Sequence, residues 1–306
     1  MEKFNPPELK RLYKPALESS GEQNGQVTII GGSELFHGAA LFSLKVASRL
    51  ADMVFFATPA SSVAKVAQEM KSKLLSFIWV PWEDVQAYIE KSDAVLIGPG
   101  FMRFGSEKTP REKRHPEAHQ EGLVSREITK TLLSEFPKKR WVIDAGSLQV
   151  MDKEWIPENS ILTPNKKEFE MLFGETLRLR SGSNRSSAQD DEADLESLPA
   201  SSNVKGMAKK YNCVIVLKGP ETLVCSPNEC VVVSNGNPGM TKGGTGDVLA
   251  GLTVALYAKN DAFLSACSAS YITKSAADAL YQKVGTSYNA DDLADQVPET
   301  LHRLIM

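Results

Sequence analysis

The sequence NGNPGMTKGGTGDVLAG, residues 235–251, joins a glycine-rich turn directly to the start of an apolar helix. The stretch holds six of the 21 glycines in this chain of 306 residues. Glycine lets successive backbone N–H groups point toward one place, and the first turn of a helix adds further free N–H groups. The stretch therefore predicts a concave binding site for phosphate or another oxyanion.

One acid, Asp247, lies at the edge of this predicted anion site. A carboxylate repels a bound anion, so its presence there is explained best if it takes a proton from a reacting group. Asp247 is the candidate general base, and the candidate phosphate-binding residues are Gly243, Gly244, Thr245 and Gly246. The alternative is a simple turn in which Asp247 is the N-cap of the helix. The density of glycines favours the anion site.

Composition and charge exclude several classes of protein. The net charge is −3 and the pI is about 5.9, which does not favour binding to nucleic acid or to an anionic membrane. The sequence has no apolar run of the roughly 20 residues that cross a bilayer, and its polar, proline-containing N-terminus is unlike a signal peptide. We therefore expect a cytoplasmic protein. Its four cysteines lack metal-binding spacing, and we expect them to be reduced and mostly buried.

Short apolar runs alternate with helical patterns along the chain, which predicts an α/β fold: one domain, residues 1–306, with an open, mostly parallel sheet and helices on both faces. Most of the runs end in Gly, Asp, Asn or Lys, at the sheet edge where such folds bind ligands. The predicted strands are 27–30, 53–58, 77–80, 94–97, 141–143, 160–163 and 214–217, followed by a hairpin of 221–226 and 230–234. The predicted helices are 6–12, 38–50, 61–73, 85–91, 123–135, 168–173, 204–210, 261–284 and 289–304, together with the one that follows Asp247.

Two segments interrupt this alternation. Residues 103–122 are charged, contain proline and lack a clear period, so we expect a mobile surface loop. A more specific hypothesis is that this loop closes over the site as a lid. Residues 178–203 run from basic to Ser- and Asn-rich to acidic. Such a segment buries too little apolar area to offset the entropy of ordering it, so we expect a disordered or weakly ordered insertion within the single domain.

Two further motifs follow predicted strands and each has two interpretations. Asn165 and Glu168 form N-x-x-E, which either orients water around Mg²⁺ and phosphates or makes a helix capping box. The segment Lys218, Gly219, Pro220, Glu221 and Thr222 either holds a nucleotide or is a plain hairpin turn. The chain has neither a P-loop motif nor G-x-G-x-x-G after its first strand, so neither of those phosphate sites is present.

Six separate motifs, taken together, resemble one known family. Residues 237–251 strongly resemble the signature of the NAD(P)H-hydrate dehydratases, enzymes of ribokinase-like fold that repair hydrated nicotinamide cofactors. Other blocks of the family have similar counterparts in the same order: GGSELFHGAALFSLKVASRLADMVFFATP (31–59), GPG (98–100), TPNKKEF (163–169), VLKGPET (216–222) and YNADDLADQVPETL (288–301). The resemblance covers most of residues 27–304 outside the two irregular segments.

The resemblance implies a lyase that dehydrates NAD(P)H hydrate with a nucleotide as phosphoryl donor and Mg²⁺ as companion ion. By matching position, Asp247 is the base near the substrate, and Ala39, Gly100 and Asn165 line the substrate site. Gly246 and the Lys218–Thr222 segment contact the AMP part of the nucleotide. A homodimer or homotetramer is also implied.

Two departures from the family pattern bear on the site. Asn165-Lys166-Lys167-Glu168 replaces the His-Pro-Gly-Glu of many bacterial members and leaves ADP or ATP open as the donor. Asp144-Ala145-Gly146-Ser147 replaces Asp-Ala-Asp-Ala, so one polar contact is missing. Two other hypotheses stay open: a kinase of the same fold acting on a vitamin or sugar alcohol, and a nucleotide-binding regulator without catalysis.

Overall fold

Ten strands form one sheet in the computed structural model, which describes residues 1–61, 63–65, 76–103, 117–174, 177 and 200–306. The order across the sheet is β1-β10-β9-β8-β7-β6-β5-β2-β3-β4. All neighbours are parallel except β9, which is antiparallel to both β8 and β10. The strands are β1 Glu2–Lys3, β2 Gln26–Ile30, β3 Met53–Ala57, β4 Ile78–Trp79, β5 Ala94–Ile97, β6 Arg140–Ile143, β7 Ile161–Leu162, β8 Val214–Leu217, β9 Thr222–Cys225 and β10 Cys230–Val233.

Helices cover both faces of this sheet, as the alternation of strands and helices predicts. The α-helices of the described residues are α1 His37–Ala47, α2 Val85–Lys91, α3 Glu117–Glu135, α4 Ala145–Val150, α5 Lys166–Phe173, α6 Ala200–Lys210, α7 Thr245–Tyr257, α8 Ala262–Val284 and α9 Ala290–Ile305. In β5, Ala94 and Leu96 belong to the core under α1, α7, α8 and α9, whereas Val95 and Ile97 belong to the core under α2 to α6. Alternate residues of a strand point to opposite faces, so the fully apolar β5 fills both cores.

The N-terminal residues protect one edge of the sheet. β1 pairs in parallel with β10, and the following 3₁₀ turn, Pro6–Arg11, buries Leu9 completely. The ring of Phe4 packs against that of Tyr271 on α8. An exposed edge strand is a template for unwanted pairing, so this segment shields β10 from a second chain.

Three expectations about local structure are wrong. Residues 117–122 are helical, because α3 begins at Glu117 and not at residue 123, and residues 200–203 form the first turn of α6. Two of the cysteines are not reduced, since a disulfide joins Cys225 to Cys230 across the β9–β10 hairpin, where the two residues face each other directly. The remaining predictions for 104–116 and 178–199, and most of the predicted helix 61–73, lie outside the described residues.

The helix that carries Asp247 packs unusually close to α1. A Cβ built on Gly251 of α7 would lie 2.4 Å from the carbonyl oxygen of Ser43 and 2.5 Å from its Cα. Both are backbone atoms, so any side chain at this position forces the two helices apart.

No helix among the described residues is long and apolar enough to cross a membrane.

Gly251→Ala is expected to lower the free energy of unfolding by about 1–3 kcal/mol, because the added methyl group overpacks this contact. Gly206→Ala is the matched control, since Gly206 also lies in a helix but has nothing within 4 Å of an added Cβ. In Gly206→Ala the added methyl group meets no neighbour, so only the higher helix propensity of alanine acts, and the free energy of unfolding should rise by up to about 1 kcal/mol. Urea denaturation of both variants tests the contrast, and equal effects of the two substitutions would contradict it.

Candidate functional site

The glycine-rich turn and the first turn of α7 form a fixed cup. Gly244 precedes the helix with φ of 94°, a left-handed conformation that favours glycine, and an added Cβ there would lie 2.6 Å from Cβ of Ala290. The hydroxyl of Thr245 donates to the carbonyl oxygens of Met240 at 2.7 Å and Lys242 at 3.0 Å. The N–H groups of the first helical turn have no partner inside the helix, which suits an anion.

Asp247 is the third residue of α7 and not its N-cap, a position that belongs to Gly244. Its carbonyl oxygen accepts a hydrogen bond of 2.7 Å from the hydroxyl of Ser43, which fixes α7 against α1. Burial of the side chain, together with the negative charges of Asp144 and Glu168, raises the pKa of Asp247 to about 7, although Lys218 opposes the shift. A carboxyl group with this pKa takes up and releases protons near neutral pH.

The charged residues around Asp247 follow three other strands: Asp144 follows β6, Glu168 comes after β7 and Lys218 follows β8. Asp144 follows β6 and is 1% exposed, and its Oδ1 accepts hydrogen bonds from Lys218 Nζ at 2.8 Å and from Thr163 Oγ1 at 2.7 Å. Lys218 Nζ also lies 3.7 Å from Glu168 Oε2. Burial lowers the pKa of Lys218, but the charges of Asp144 and Glu168 outweigh burial and raise it above its ordinary value. Lys218 is therefore a fixed cation within an acidic cluster.

The N-x-x-E motif forms the capping box of α5. Asn165 Oδ1 accepts from the backbone N–H of Glu168 at 3.0 Å, and Glu168 Oε2 accepts from the backbone N–H of Asn165 at 2.8 Å. The other carboxylate oxygen of Glu168 accepts from Gln149 at 3.0 Å. A capping role is thus present at Glu168, and its contact with a metal through water remains a prediction.

A cavity of about 500 Å³ opens beside the cup and is lined by the turn after β8 and the loop after β10. From the predicted nucleotide residues, the lining includes Lys218, Gly219, Pro220, Thr222, Thr245 and Gly246. Glu221 is exposed and is not part of the lining. Gly243 and Gly244 lie in the turn that leads into α7, next to the cavity and not in its wall.

The predicted substrate residues Ala39 and Gly100 are in contact. A Cβ on Gly100, which has φ of 75°, would lie 3.3 Å from Cβ of Ala39 and 2.4 Å from the carbonyl oxygen of Phe36. The N–H of Gly32 donates to the carbonyl oxygen of Pro99 at 2.8 Å. The loops after β2 and β5 therefore meet at the same sheet edge as Asp144, Asn165 and Lys218.

The structure gives a physical reason why Gly146 replaces the second aspartate of the family's Asp-Ala-Asp-Ala motif. A Cβ at this position would lie 2.2 Å from the carbonyl oxygen of Phe101. The backbone that follows the turn of residues 98–100 therefore occupies the space that an aspartate side chain would need.

Sequence reasoning did not single out Gln149, which contacts Glu168, or Lys274 and Asp278 on α8. Asp278 accepts from the backbone N–H of Gly236 and from Asn237 Nδ2, both at 3.0 Å. A signal did exist for Lys274, which stands alone among small and apolar residues in SASYITKSAADA. A lysine in such a setting is buried only for a specific reason.

The family model described as NAD(P)H-hydrate dehydratase matches residues 27–299. The chain belongs to this family. Its members include the bifunctional NAD(P)H-hydrate repair enzyme Nnr of Methanocaldococcus jannaschii, which is 32% identical over 96% of this chain and 51% of its own length. The ADP-dependent (S)-NAD(P)H-hydrate dehydratase of Cenarchaeum symbiosum is 28% identical over 93% of this chain and 91% of its own length. The chain spans about half the length of the bifunctional relatives that it matches.

Two solved structures share this fold. The ADP/ATP-dependent NAD(P)H-hydrate dehydratase of Bacillus subtilis, co-crystallised with ATP/Mg²⁺, has a TM-score of 0.71 at 21% identity and covers 99% of this chain and 98% of its own. A ribokinase-like superfamily protein of Enterococcus faecalis has a TM-score of 0.75 at 20% identity, over 99% of this chain and 96% of its own. The predicted ribokinase-like α/β fold is confirmed.

Proposed function

We propose that this protein dehydrates NAD(P)H hydrate back to NAD(P)H, with a nucleotide as phosphoryl donor. The observation that carries the proposal is the position of Asp247, a carboxyl group with a pKa of about 7 on the first turn of a helix that opens an anion-binding cup. A base beside a phosphate site is what phosphorylation of an alcohol requires. Membership of the dehydratase family supports the hydrate as the alcohol.

The proposed reaction uses the residues of the cup in two steps. Asp247 takes the proton of the ring hydroxyl while the hydroxyl oxygen forms a bond to the terminal phosphorus of the nucleotide. The bond between that phosphorus and the bridging oxygen of the nucleotide breaks. The N–H groups at Thr245 and Gly246 hold the phosphoryl oxygens as charge develops on them. Phosphate then leaves with the carbon–oxygen bonding pair, electrons from the ring nitrogen assist, and loss of a proton from the neighbouring carbon restores the double bond.

The cavity lined by Lys218, Gly219, Pro220 and Thr222 is the proposed nucleotide site, because it adjoins the cup and one of its walls is the predicted AMP segment. Relatives named ADP-dependent and a Bacillus subtilis structure with ATP support either ADP or ATP as the donor. Both NADH hydrate and NADPH hydrate are proposed substrates, and assembly into a dimer or tetramer remains a prediction.

Magnesium fits this site only together with the nucleotide. The described residues hold no group of three or more His, Cys, Asp or Glu side chains placed to bind a metal ion. Mg²⁺ keeps several waters and is often bound through substrate phosphates and one or two carboxylates, so Glu168 would contact it through water. The ion would supply charge neutralisation on the phosphates.

The proposal is tested by mixing the purified protein with NADH hydrate or NADPH hydrate, Mg²⁺, and either ADP or ATP, and following the return of the absorbance of the reduced cofactor. We expect restoration with at least one nucleotide and release of one phosphate per hydrate consumed. No restoration with either nucleotide rejects the function. A stable phosphorylated product from another alcohol would instead support a kinase.

The pH dependence of kcat/KM gives a separate prediction. Asp247 acts as a base only when deprotonated, so at saturating nucleotide kcat/KM for the hydrate is expected to fall about tenfold per pH unit below pH 7 and to level off above it. The charge of Asp144 raises the pKa of Asp247, and Asp144→Asn should therefore move the acidic limb to lower pH. A flat profile from about pH 5.5 to about pH 8.5 would contradict the assignment of the base.

A further inference from the structure

Lys274 of α8 is a buried lysine in the wall of the cavity, and the proposed chemistry does not use it. Its relative exposure is 5%. Nζ donates to three backbone carbonyl oxygens: Pro220 at 2.6 Å, Val233 at 3.0 Å and Gly219 at 3.2 Å. An ammonium group has three N–H donors, so every donor of Lys274 is used.

These carbonyl groups belong to two separate segments that flank the cavity. Gly219 and Pro220 form the turn after β8, which also carries Lys218, whereas Val233 ends β10. One helical turn beyond Lys274, Asp278 binds the backbone N–H of Gly236 in the loop that follows β10. One face of α8 therefore fixes both sides of the cavity, and Lys274 is the residue that joins them.

The charge of Lys274 differs from that of Lys218 in one respect. Lys218 is neutralised by Asp144 and Glu168, but Lys274 forms no ion pair with any carboxylate of the described residues and meets carbonyl oxygens instead. Burial lowers the pKa of Lys274 to about 8, although the charges of Asp278 and Glu221 oppose the shift. At neutral pH the cavity wall thus carries a cation that makes no direct ion pair within the part of the chain that the structure describes.

We propose that Lys274 is the positioning residue of the nucleotide cavity, because its ammonium group holds the Gly219–Pro220 turn against the end of β10 and presents a positive charge to a nucleoside diphosphate or triphosphate. This inference rests on the proposed function, which places the nucleotide in this cavity. It predicts that nucleotide affinity depends on the protonation of Lys274.

The sign of this dependence follows from the amine. Above pH 8, Lys274 loses its charge and one N–H donor, so both the attraction for phosphates and one carbonyl contact are lost. The other ionisable or charged groups that face it are Lys218 and Glu221 on the turn, Asp278 on α8, and Tyr288, which reaches the loop through Asn237. The last phosphate proton dissociates near pH 6, below this window. Asp247 titrates near pH 7, at the lower end of the window, and its part in any pH dependence is common to the wild type and to Lys274→Arg.

Stability is expected to change in the opposite direction from affinity. The pKa of Lys274 is about 8 in the folded protein and 10.5 ordinarily, so the unfolded chain binds more protons between these values. The contribution of Lys274 to the free energy of unfolding therefore rises with pH in this interval, while nucleotide affinity falls. A purely structural role for Lys274 would not separate the two quantities.

The test measures the Kd of ADP and of ATP with Mg²⁺ by calorimetry at about pH 7 and at about pH 9, on either side of the titration of Lys274. The wild-type Kd is expected to rise about tenfold between them, the size expected for one unit charge about 10 Å away at an effective dielectric constant of about 20. Lys274→Met should bind at both pH values about as weakly as the wild type does at about pH 9, with its nucleotide KM at about pH 7 raised and its kcat nearly unchanged. Lys274→Arg keeps a charge at both pH values and should show little pH dependence.

Lys283→Met is the matched control, because Lys283 lies on the same helix but is exposed and donates to Gln296 outside the cavity. It should keep the wild-type pH dependence. Nucleotide binding by the wild type that does not change with pH overturns the role of Lys274 and leaves the proposed function intact. Failure of the wild type to bind either nucleotide at both pH values overturns the proposed function and, with it, this inference.

Discussion

Asp247→Asn is expected to reduce turnover by at least about a hundredfold and, at the same time, to raise the melting temperature above pH 7. Loss of a positioned base costs typically 10²–10⁴ in rate, and asparagine cannot accept the proton. The stability gain has a separate cause. The pKa of Asp247 rises from 3.8 to about 7 on folding, so the ionised side chain is disfavoured in the folded protein and destabilises it as the pH rises through this interval.

Steady-state rates measure the loss of turnover, and thermal unfolding with and without nucleotide measures the melting temperature and the protection by nucleotide. ADP or ATP should still protect the variant, because the cup and the cavity do not need the charge of Asp247 to bind phosphate. Asp291→Asn is a suitable control, since Asp291 is exposed and pairs with Lys45 at the protein surface. Near-normal turnover of Asp247→Asn would falsify the base assignment, and a lower melting temperature above pH 7 would contradict the electrostatic account.

Lys218→Met is expected to lower the free energy of unfolding by about 3–5 kcal/mol, because it removes the cation from a buried charge cluster. Asp144, 1% exposed, would be left with the hydroxyl of Thr163 as its close side-chain partner among the described residues, and Glu168 would lose the same neutralising charge. Since Lys218 lowers the pKa of Asp247, the acidic limb of kcat/KM should also move to higher pH. Urea denaturation and the pH profile measure the two effects.

Lys166→Met provides the matched comparison for this substitution. Lys166 is an exposed lysine of α5 whose Nζ lies 3.8 Å from Glu170, so its loss should change stability by about 0.5 kcal/mol or less. The double variant Lys218→Met/Asp144→Asn removes the stranded charge and should recover part of the lost stability. If Lys218→Met were as stable as Lys166→Met, the ion cluster would have no role in holding the site together.

The best predicted elements are those that are apolar on both faces or whose apolar residues recur at a regular period. The strand 94–97 and the helix 85–91 have the predicted bounds, because a run such as Ala94–Ile97 fits only a strand buried on both sides. The start of α3 at Glu117 was missed, since residues 117–122 consist partly of good helix formers but show no apolar period. The disulfide was missed because it depends on the hairpin register, which pairs Cys225 with Cys230.

The candidate site divides in a similar way. Asp247 and its glycines are contiguous in sequence, so local backbone chemistry alone predicts an anion site there. Lys274 and Gln149 depend on which face α8 and α4 turn toward the sheet edge, and no single-sequence period specifies that orientation. The ion pair of Lys218 with Asp144 joins residues from two different strand ends, so only the assembled sheet brings them together.

The pairing of β1 with β10 also affects the order in which the chain folds. Glu2 lies beside Val231, so most of the chain separates two neighbouring strands of the sheet. During synthesis the N-terminal strand waits for its partner until most of the sheet has formed, and closing so large a loop is slow compared with local helix formation. The last edge of this sheet to be covered is therefore the edge beside the nucleotide loops, which links completion of the fold to completion of the binding site.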